Sequence, residues 1–155
     1  MQRFRVIGSL ALISALSATA VLAKEANFDN LIMSAEGRNA RRVATGYTGG
    51  SFSLTSIANR DRSKNPCIGY GSPNPDHILV LQKDYPRLKI QVDSGGQDTT
   101  LLIRGQSNII RCGDDTGSRK DASIEDTGWK AGRYRIWVGS IDPGKRRNYT
   151  ISVQE

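Results

Sequence analysis

The chain has 155 residues and a formal net charge of +7, and aromatic residues make up only 6% of it. This length is enough for one domain with a single core. The positive excess is compatible with an anionic partner such as an envelope polysaccharide. A chain with so few aromatic side chains for stacking bases is a poor nucleic-acid binder, so we expect no nucleic-acid partner.

The N-terminal 23 residues have the pattern of a cleaved signal peptide. Arg3 and Arg5 form a basic start, an apolar run follows over residues 6–16, and Ala23 ends a stretch of small or short residues. The alternative is a membrane helix, but spanning needs about 20 apolar residues. We therefore expect an exported protein, periplasmic or extracellular, with residues 24–155 as the mature chain and no transmembrane segment after cleavage.

The mature chain alternates apolar and polar residues with a period of two, which is typical of half-buried strands. Residues 27–42 are ambiguous between a short helix and an edge strand. The strands predicted after them are Gly50–Ile57, His77–Leu81, Arg87–Asp93, Thr99–Ile103, Asn108–Cys112, Gly132–Gly139 and Tyr149–Val153. Thr99–Ile103 is apolar at successive positions, which predicts a strand covered on both faces.

The last two predicted strands flank a turn signal at Pro143-Gly144, followed by the basic residues 145–147. This arrangement predicts a C-terminal β-hairpin with a basic loop. Several short strands at regular spacing, without a convincing helical stripe, indicate an all-β sandwich or barrel. We expect a lead segment over residues 24–45 and the β-sandwich domain over residues 46–155.

The chain contains two cysteines, Cys67 and Cys112. An even number in an oxidising compartment favours a disulfide, which would stabilise the fold by about 4 kcal/mol in the chain-entropy model. The alternatives are a metal pair and a catalytic thiol. Two cysteines with a single histidine are too few for a zinc site without help from carboxylates.

The order of these segments resembles the bacterial pre-peptidase C-terminal domains. That family shows a D-x-x-L strand, a C- or N-x-D-D turn, an a-G-x-Y-x-I-x-V strand and a closing Y-x-L-x-V strand. The matching segments cover roughly residues 46–155, and they are Pro75–Leu81, Leu88–Val92, Asp98–Ile103, Cys112–Asp115, Ala131–Gly139 and Tyr149–Val153.

The resemblance implies a secreted, jelly-roll-like antiparallel β-sandwich without catalysis of its own. In that family the module is usually appended to secreted peptidases, and its relatives in collagenases bind calcium and matrix polymers. No peptidase precedes the module in this sequence. We therefore expect a free-standing version that binds, or assists another exported protein.

An acidic turn is the first candidate site. Asp114 and Asp115 directly follow a predicted strand, and Asp98 precedes the strand before it, so strand order can bring the three together. Calcium takes six to eight oxygen ligands, and Asp98, Asp114 and Asp115 are the predicted calcium ligands. Asp121, Glu125 and Asp126 are further candidates. The alternative is a structural turn whose aspartates bond nearby backbone N–H groups and are neutralised by Arg111, Arg119 or Lys120.

The only histidine, His77, is preceded by Asp76. A small hydrolase would need that histidine between a carboxylate and a serine, but neighbours along a strand point to opposite faces. No G-x-S-x-G motif is present. Asp114 and Asp115 are adjacent in one turn, so they are poorly placed for glycoside cleavage across a cleft. We predict no catalytic residues.

Two other features are candidate ligand contacts. Basic groups lie at residues 38–42, 60–64 and 145–147, and Lys145, Arg146 and Arg147 are the ones we select as contacts for an anionic polymer. Their alternative role is solubility and the protection of sheet edges. Trp129 and Trp137 are candidates for stacking on a sugar, and Trp137 is out of phase with its apolar neighbours. Core packing is the commoner role of tryptophan.

Overall fold

A computed structural model describes residues 25–34, 40–115 and 118–155. Regular structure in these ranges consists of strands and two single 3₁₀ turns, Leu54–Ser56 and Gln106–Asn108. The strands are β1 Leu31–Met33, β2 Arg41–Tyr47, β3 Phe52–Ser53, β4 Tyr70–Gly71, β5 His77–Leu81, β6 Tyr85–Asp93, β7 Thr99–Arg104, β8 Ile110–Gly113, β9 Ser123–Trp129, β10 Gly132–Ser140 and β11 Asn148–Gln154. The predicted signal peptide, residues 1–23, lies outside the described residues.

The strands form two sheets. The larger sheet centres on β10, which pairs with β5 and the short β4 along one edge and with β7 along the other. The strand β8 continues this sheet beyond β7, and β1 continues it beyond β5. The smaller sheet has the order β2-β11-β6-β9. All pairs are antiparallel except β1 with β5, so the predicted all-β sandwich is confirmed, with one parallel pair at an edge.

The main core lies between the two sheets, where the alternation of β6 and β11 directs every second side chain inward. Leu88, Ile90 and Val92 of β6 are fully buried, as are Ile151 and Val153 of β11. Burying side chains of this size contributes about 1.5–3 kcal/mol each. The period-two pattern read from the sequence is therefore the pattern that builds the core.

A second apolar layer covers the outer face of the larger sheet. It contains Trp137 of β10, Leu102 of β7, Leu54, and the Cys67–Cys112 pair. Because both of its faces are covered, β7 is buried at Thr99 through Ile103, as its unbroken apolar sequence predicts.

The predicted C-terminal hairpin is wrong. The strand β10 belongs to the larger sheet, whereas β11 pairs with β2 and β6 in the smaller one. Both edges of β10 are already occupied by other strands, so the chain after Ser140 crosses to the second sheet instead of turning back. A Pro-Gly turn signal is local and does not specify the partner of the strand that follows it.

The predicted boundary after residue 45 falls within β2, since that strand extends from Arg41 to Tyr47. Residues 31–33 of the lead segment also join the larger sheet as an edge strand, β1, which was one of the two predicted alternatives. The strands β2, β4 and β9 were not predicted. Among the described residues, no helix is long and apolar enough to cross a membrane.

Candidate metal centre

The acidic residues singled out from the sequence meet at one end of the sandwich. Asp98 directly precedes β7, and Asp114 and Asp115 directly follow its antiparallel neighbour β8. In an antiparallel pair the start of one strand lies beside the end of the other. One carboxylate oxygen from each of Asp98, Asp114 and Asp115 therefore lies within 4.8 Å of the others.

Backbone contacts hold two of these residues in place. The Asp98 carbonyl accepts a hydrogen bond from the Ile141 backbone N–H at 3.3 Å, and the Asp114 carbonyl accepts one from the Ser123 N–H at 3.1 Å. These contacts join the end of β8 to β9 and the start of β7 to the loop after β10. The two sheets therefore fix the main-chain positions of Asp98 and Asp114. At these positions their carboxylates lie close to each other.

The electrostatics of Asp114 are unfavourable for a carboxylate without a cation. Its Oδ1 is buried and has no hydrogen-bond partner among the described residues. Burial raises the pKa of the Asp114 carboxyl, and the negative charges of Asp115 and Asp98 raise it further. Buried polar atoms in folded proteins are nearly always paired, so an unpaired carboxylate oxygen that faces two more carboxylates is electrostatically unfavourable.

Only one protein cation contacts this cluster within the described part of the chain. Lys120 Nζ lies 3.4 Å from Asp98 Oδ2, in a pair that is largely exposed. Such a pair contributes about 0–1 kcal/mol. Arg111, which sequence reasoning offered as a neutralising group, instead donates to Asp126 Oδ2 at 2.7 Å. One lysine against three carboxylates leaves the site negative.

The three further acidic candidates have structural roles. Asp121 accepts hydrogen bonds from the backbone N–H groups of Ser94 and Gly96 and so shapes the loop after β6. Glu125 pairs with Arg87 on the exposed face of the smaller sheet. Asp126 pairs with the buried Arg111. None of the three joins the cluster of Asp98, Asp114 and Asp115.

The predicted disulfide between Cys67 and Cys112 is confirmed. Both residues are buried in the second apolar layer, and Cys112 lies two residues before Asp114. The bond therefore ties the end of β8 to the long segment that covers the larger sheet. The disulfide therefore fixes the position of the chain just before the acidic turn.

The buried residues Asp76 and His77 are occupied by structural contacts. Asp76 accepts from the Asn27 side chain at 2.9 Å and from the Val138 N–H at 2.8 Å, and burial raises its pKa to about 6. The two His77 ring nitrogens contact the Asp29 carbonyl at 2.7 Å and the Tyr149 hydroxyl at 2.9 Å. Burial lowers the pKa of His77. Neither His77 nitrogen faces a serine, so this pair lacks the geometry of a hydrolytic triad.

The structure corrects the role considered for tryptophan. Trp137 is only 5% exposed and packs in the second apolar layer, so its ring is not accessible to a sugar. Trp137 lies on the opposite face of β10 from Tyr134, Ile136 and Val138. The second apolar layer covers that face at Trp137, whereas Arg133 and Arg135 on the same face are exposed. Trp129 is also fully buried, with the Arg111 guanidinium 3.9 Å from its ring centroid.

The basic residues Lys145 and Arg146 are exposed, and Arg147 is partly so, in the loop before β11. This loop starts beside Asp98 and ends at Asn148, so it lies at the same end as the acidic cluster. Of the other basic groups, Arg42 donates to the Ile32 carbonyl at 2.8 Å, and Arg62 pairs with Asp126. Arg38 and Asn39 lie outside the described residues.

Sequence reasoning missed one exposed aromatic residue near this end, Tyr47 of β2. The strand was missed because its outward positions include the apolar residues Val43 and Tyr47, whereas its inward positions include the small residues Ala44 and Gly46. A strand with its larger apolar groups outside has the reverse of the usual pattern. The signal that could have found it is an aromatic residue within the small and polar stretch Thr45–Gly50.

No family model and no curated protein matches this chain. Solved structures show similarity in fold. The periplasmic inhibitor PliG of g-type lysozyme from Aeromonas hydrophila has a TM-score of 0.44 at 11% identity, over 81% of this chain and 97% of its own. The pre-peptidase C-terminal domain of a Bacillus anthracis collagenase has a TM-score of 0.43 at 16% identity, over 80% and 93%.

A third similar structure is CorA, a surface-associated copper-binding protein of Methylomicrobium album BG8. Its TM-score is 0.43 at 8% identity, over 81% of this chain and 96% of its own. The inhibitor, the collagenase domain and the copper-binding protein have different roles. Identities and TM-scores this low carry no argument about function, so membership of the pre-peptidase C-terminal family stays a prediction.

Proposed function

We propose that this protein is an exported, non-catalytic β-sandwich module that binds calcium through Asp98, Asp114 and Asp115 and acts by binding at the cell envelope, to an extracellular polymer or to another exported protein. The convergence of the three carboxylates within 4.8 Å is the observation that carries this proposal. The buried, unpartnered Oδ1 of Asp114 adds to it, because a cation would satisfy that oxygen.

The donor set favours calcium over other cations. All three side chains offer hard oxygen ligands, which suit calcium and magnesium, whereas zinc and copper sites in proteins usually contain histidine or cysteine. Calcium accepts six to eight oxygens in flexible geometry, and three carboxylates supply between three and six of them. Waters and turn carbonyls would supply the rest. Magnesium requires near-ideal octahedral geometry at shorter distances, which loop-borne carboxylates meet less readily.

The exported, non-catalytic character is supported by two further features. The buried Cys67–Cys112 disulfide is typical of proteins folded in an oxidising compartment. The single histidine is used for packing and hydrogen bonding inside the sandwich. Both features support an exported module that acts by binding.

The test is a thermal melt of the protein purified from the exported fraction, whose N-terminus is determined by mass spectrometry. Melts are recorded in millimolar calcium and in excess chelator. A ligand that binds only the folded state at 100 times its Kd adds about 2.7 kcal/mol, so calcium should raise Tm by several degrees. An N-terminus at Lys24 would support signal cleavage after Ala23.

The matched variants are Asp114→Asn and Asp142→Asn. Asp142 is exposed in the loop beside Asp98 but is not part of the cluster. We expect Asp114→Asn to abolish the calcium shift and Asp142→Asn to retain it. Identical melts of the wild type in calcium and in chelator would contradict the proposed cation site.

A further inference from the structure

A groove lies at the same end of the sandwich as the acidic cluster. It has a volume of about 560 Å³, and its wall includes Phe28, Thr45, Tyr47, Asn148 and Thr150. Ser94 also lines it and begins the loop that ends at Asp98, so groove and cluster share one loop. The groove and the acidic cluster are therefore neighbouring features of the same end of the sandwich.

The groove is built from β2, β11 and the segment before β1. Tyr47 and Asn148 are direct partners in the β2–β11 ladder, as are Thr45 and Thr150. Phe28 packs edge-on against Tyr47, with ring centroids 4.9 Å apart. A Cβ at Gly46 would collide with the Tyr149 hydroxyl and with Phe28, so glycine at this position lets the aromatic groups come together.

A basic loop lies beside the groove and contacts one residue of its wall, Tyr47. The Arg146 guanidinium carbon lies 3.3 Å from the centroid of the Tyr47 ring, in a cation–π contact. The buried Thr48 holds this loop, because its hydroxyl donates to the Lys145 carbonyl at 2.7 Å and accepts from the Arg147 N–H at 3.0 Å. The Thr48 backbone N–H also donates to the Arg147 carbonyl at 2.9 Å. The position of Arg146 is thus set by the fold.

The charge of this loop is not neutralised within the described residues. Neither Lys145, Arg146 nor Arg147 forms an ion pair with a carboxylate there. The Nε atom of Arg147 is buried and has no hydrogen-bond partner in the same part of the chain. An arginine held in place without an anion is preorganised to receive one, since its planar fork matches carboxylate, sulfate and phosphate groups.

The wall of the groove matches the chemistry of a sugar. Asn148 and Asp93 are planar polar side chains, and Thr45 and Thr150 carry hydroxyls, so together they can donate to and accept from sugar hydroxyls. Phe28 and the part of the Tyr47 ring that Arg146 does not cover offer apolar surface for the C–H groups of a sugar ring, and Tyr47 is 41% exposed. Asp93 is the one carboxylate in the wall, and it accepts from the Gly95 N–H of its own turn.

We propose that the groove binds an acidic glycan, with a sugar ring against Phe28, Tyr47 and Asn148 and its anionic substituent on Arg146. This inference rests on the proposed binding role and supplies the ligand class, but it does not require calcium. A neutral glycan would leave Arg146 without its counter-charge. A simple polyanion would leave the aromatic and hydroxyl wall unused.

The experiment is isothermal titration calorimetry of the wild-type protein, in chelator, with four probes. The acidic probes are an oligogalacturonate, which carries carboxylates alone, and a heparin-derived oligosaccharide, which carries sulfates as well as carboxylates. Neutral dextran oligomers test the need for charge, and polyglutamate of similar charge tests the need for a sugar. We expect at least one acidic oligosaccharide to bind tenfold or more tightly than both controls. Binding of the oligogalacturonate would show that a carboxylate is sufficient, and binding of the heparin oligosaccharide alone would identify sulfate as the substituent.

The variants are Arg146→Gln and Tyr47→Ala. Lys83→Gln is the matched control, since Lys83 also lies over a tyrosine ring, that of Tyr85, but at the opposite end of β6. We expect Arg146→Gln and Tyr47→Ala each to weaken acidic-glycan binding fivefold or more, and Lys83→Gln to leave it unchanged. Thermal melts of all three show whether each variant is folded.

Three results would overturn the inference: no acidic oligosaccharide binds at millimolar concentration, polyglutamate binds as tightly as the glycan, or Arg146→Gln behaves like Lys83→Gln. Repeating the titrations in calcium separates this inference from the cation proposal. Glycan binding in chelator without any calcium shift in Tm would refute only the cation site. A calcium shift without glycan binding would refute only the groove.

Discussion

Carboxylates at the two ends of the sandwich have different electrostatic environments. At the end where β9 turns into β10, Asp84 accepts from Lys130 Nζ and from the Ala131 N–H, both at 2.7 Å. This pairing with Lys130 lowers the pKa of Asp84 and raises that of Lys130. At the other end the pKa of Asp114 is raised, because burial and two neighbouring carboxylates oppose its ionisation.

The difference supports the proposal that the end with the acidic cluster binds ligands. The charges of Asp84 and Lys130 neutralise each other, so this pair needs no ligand as a counter-charge. Within the described residues, the cluster of Asp98, Asp114 and Asp115 is contacted by one cation, Lys120. The basic loop with Arg146 at the same end forms no ion pair there. Charges that the fold leaves without a full counter-charge retain electrostatic free energy that a bound ligand of opposite sign releases.

The largest expected effect comes from breaking the disulfide that positions the acidic turn. Reduction of Cys67–Cys112 should lower the free energy of unfolding by about 2–4 kcal/mol. Calcium affinity should fall as well, because Cys112 positions the residues that lead into Asp114. Chemical denaturation and calcium titration of oxidised and reduced protein measure both effects. An unchanged unfolding midpoint would show that the bond is not needed to hold the second apolar layer in place.

The next effect concerns Asp76, a buried carboxylate that has hydrogen bonds but no cationic partner among the described residues. Burial holds its pKa at about 6, above the ordinary value of 3.8, so the folded protein binds this proton more strongly than the unfolded chain. The contribution of Asp76 to stability therefore falls as pH rises from about 4 to 6. The size of this change is about 3 kcal/mol at most.

Comparison with Asp76→Asn isolates this change. The lowered pKa of His77 acts in the opposite direction, since neutral His77 loses stability as pH falls below 6.5, but it is present in both proteins. We expect the stability of Asp76→Asn to rise relative to that of the wild type between pH 4 and 7, as measured by urea denaturation. A constant difference across this range would mean that Asp76 titrates at the same pH in both states.

The smallest effect compares the two ends directly. In chelator at pH 7, Asp114→Asn should raise Tm slightly, because it removes repulsion among three carboxylates. Asp84→Asn should lower Tm slightly, because it removes a carboxylate that is paired with Lys130. Differential scanning calorimetry can resolve the two signs. Tm shifts of the same sign in both variants would contradict the proposed electrostatic difference between the two ends.

Part of this structure is readable from local sequence. The alternation over residues 87–93 predicts β6 because each outward residue is polar and each inward residue is apolar. The meeting of Asp98 with Asp114 is also local in origin, since it requires only that two strands joined by a short turn pair antiparallel. Tyr47 was missed because β2 carries its small residues on the inner side, where the core supplies Tyr149 from another strand.

By itself, the sequence indicated most of the long strands, the sandwich class and the pairing of the two cysteines. Strand periodicity depends on neighbours in the chain, and each cysteine has only one other cysteine with which to pair. Tertiary structure decided that β10 and β11 belong to different sheets, that Trp137 is buried, and that Arg146 lies over Tyr47. These outcomes depend on contacts between residues far apart in the chain, and local periodicity contains no information about which distant strand or side chain completes them.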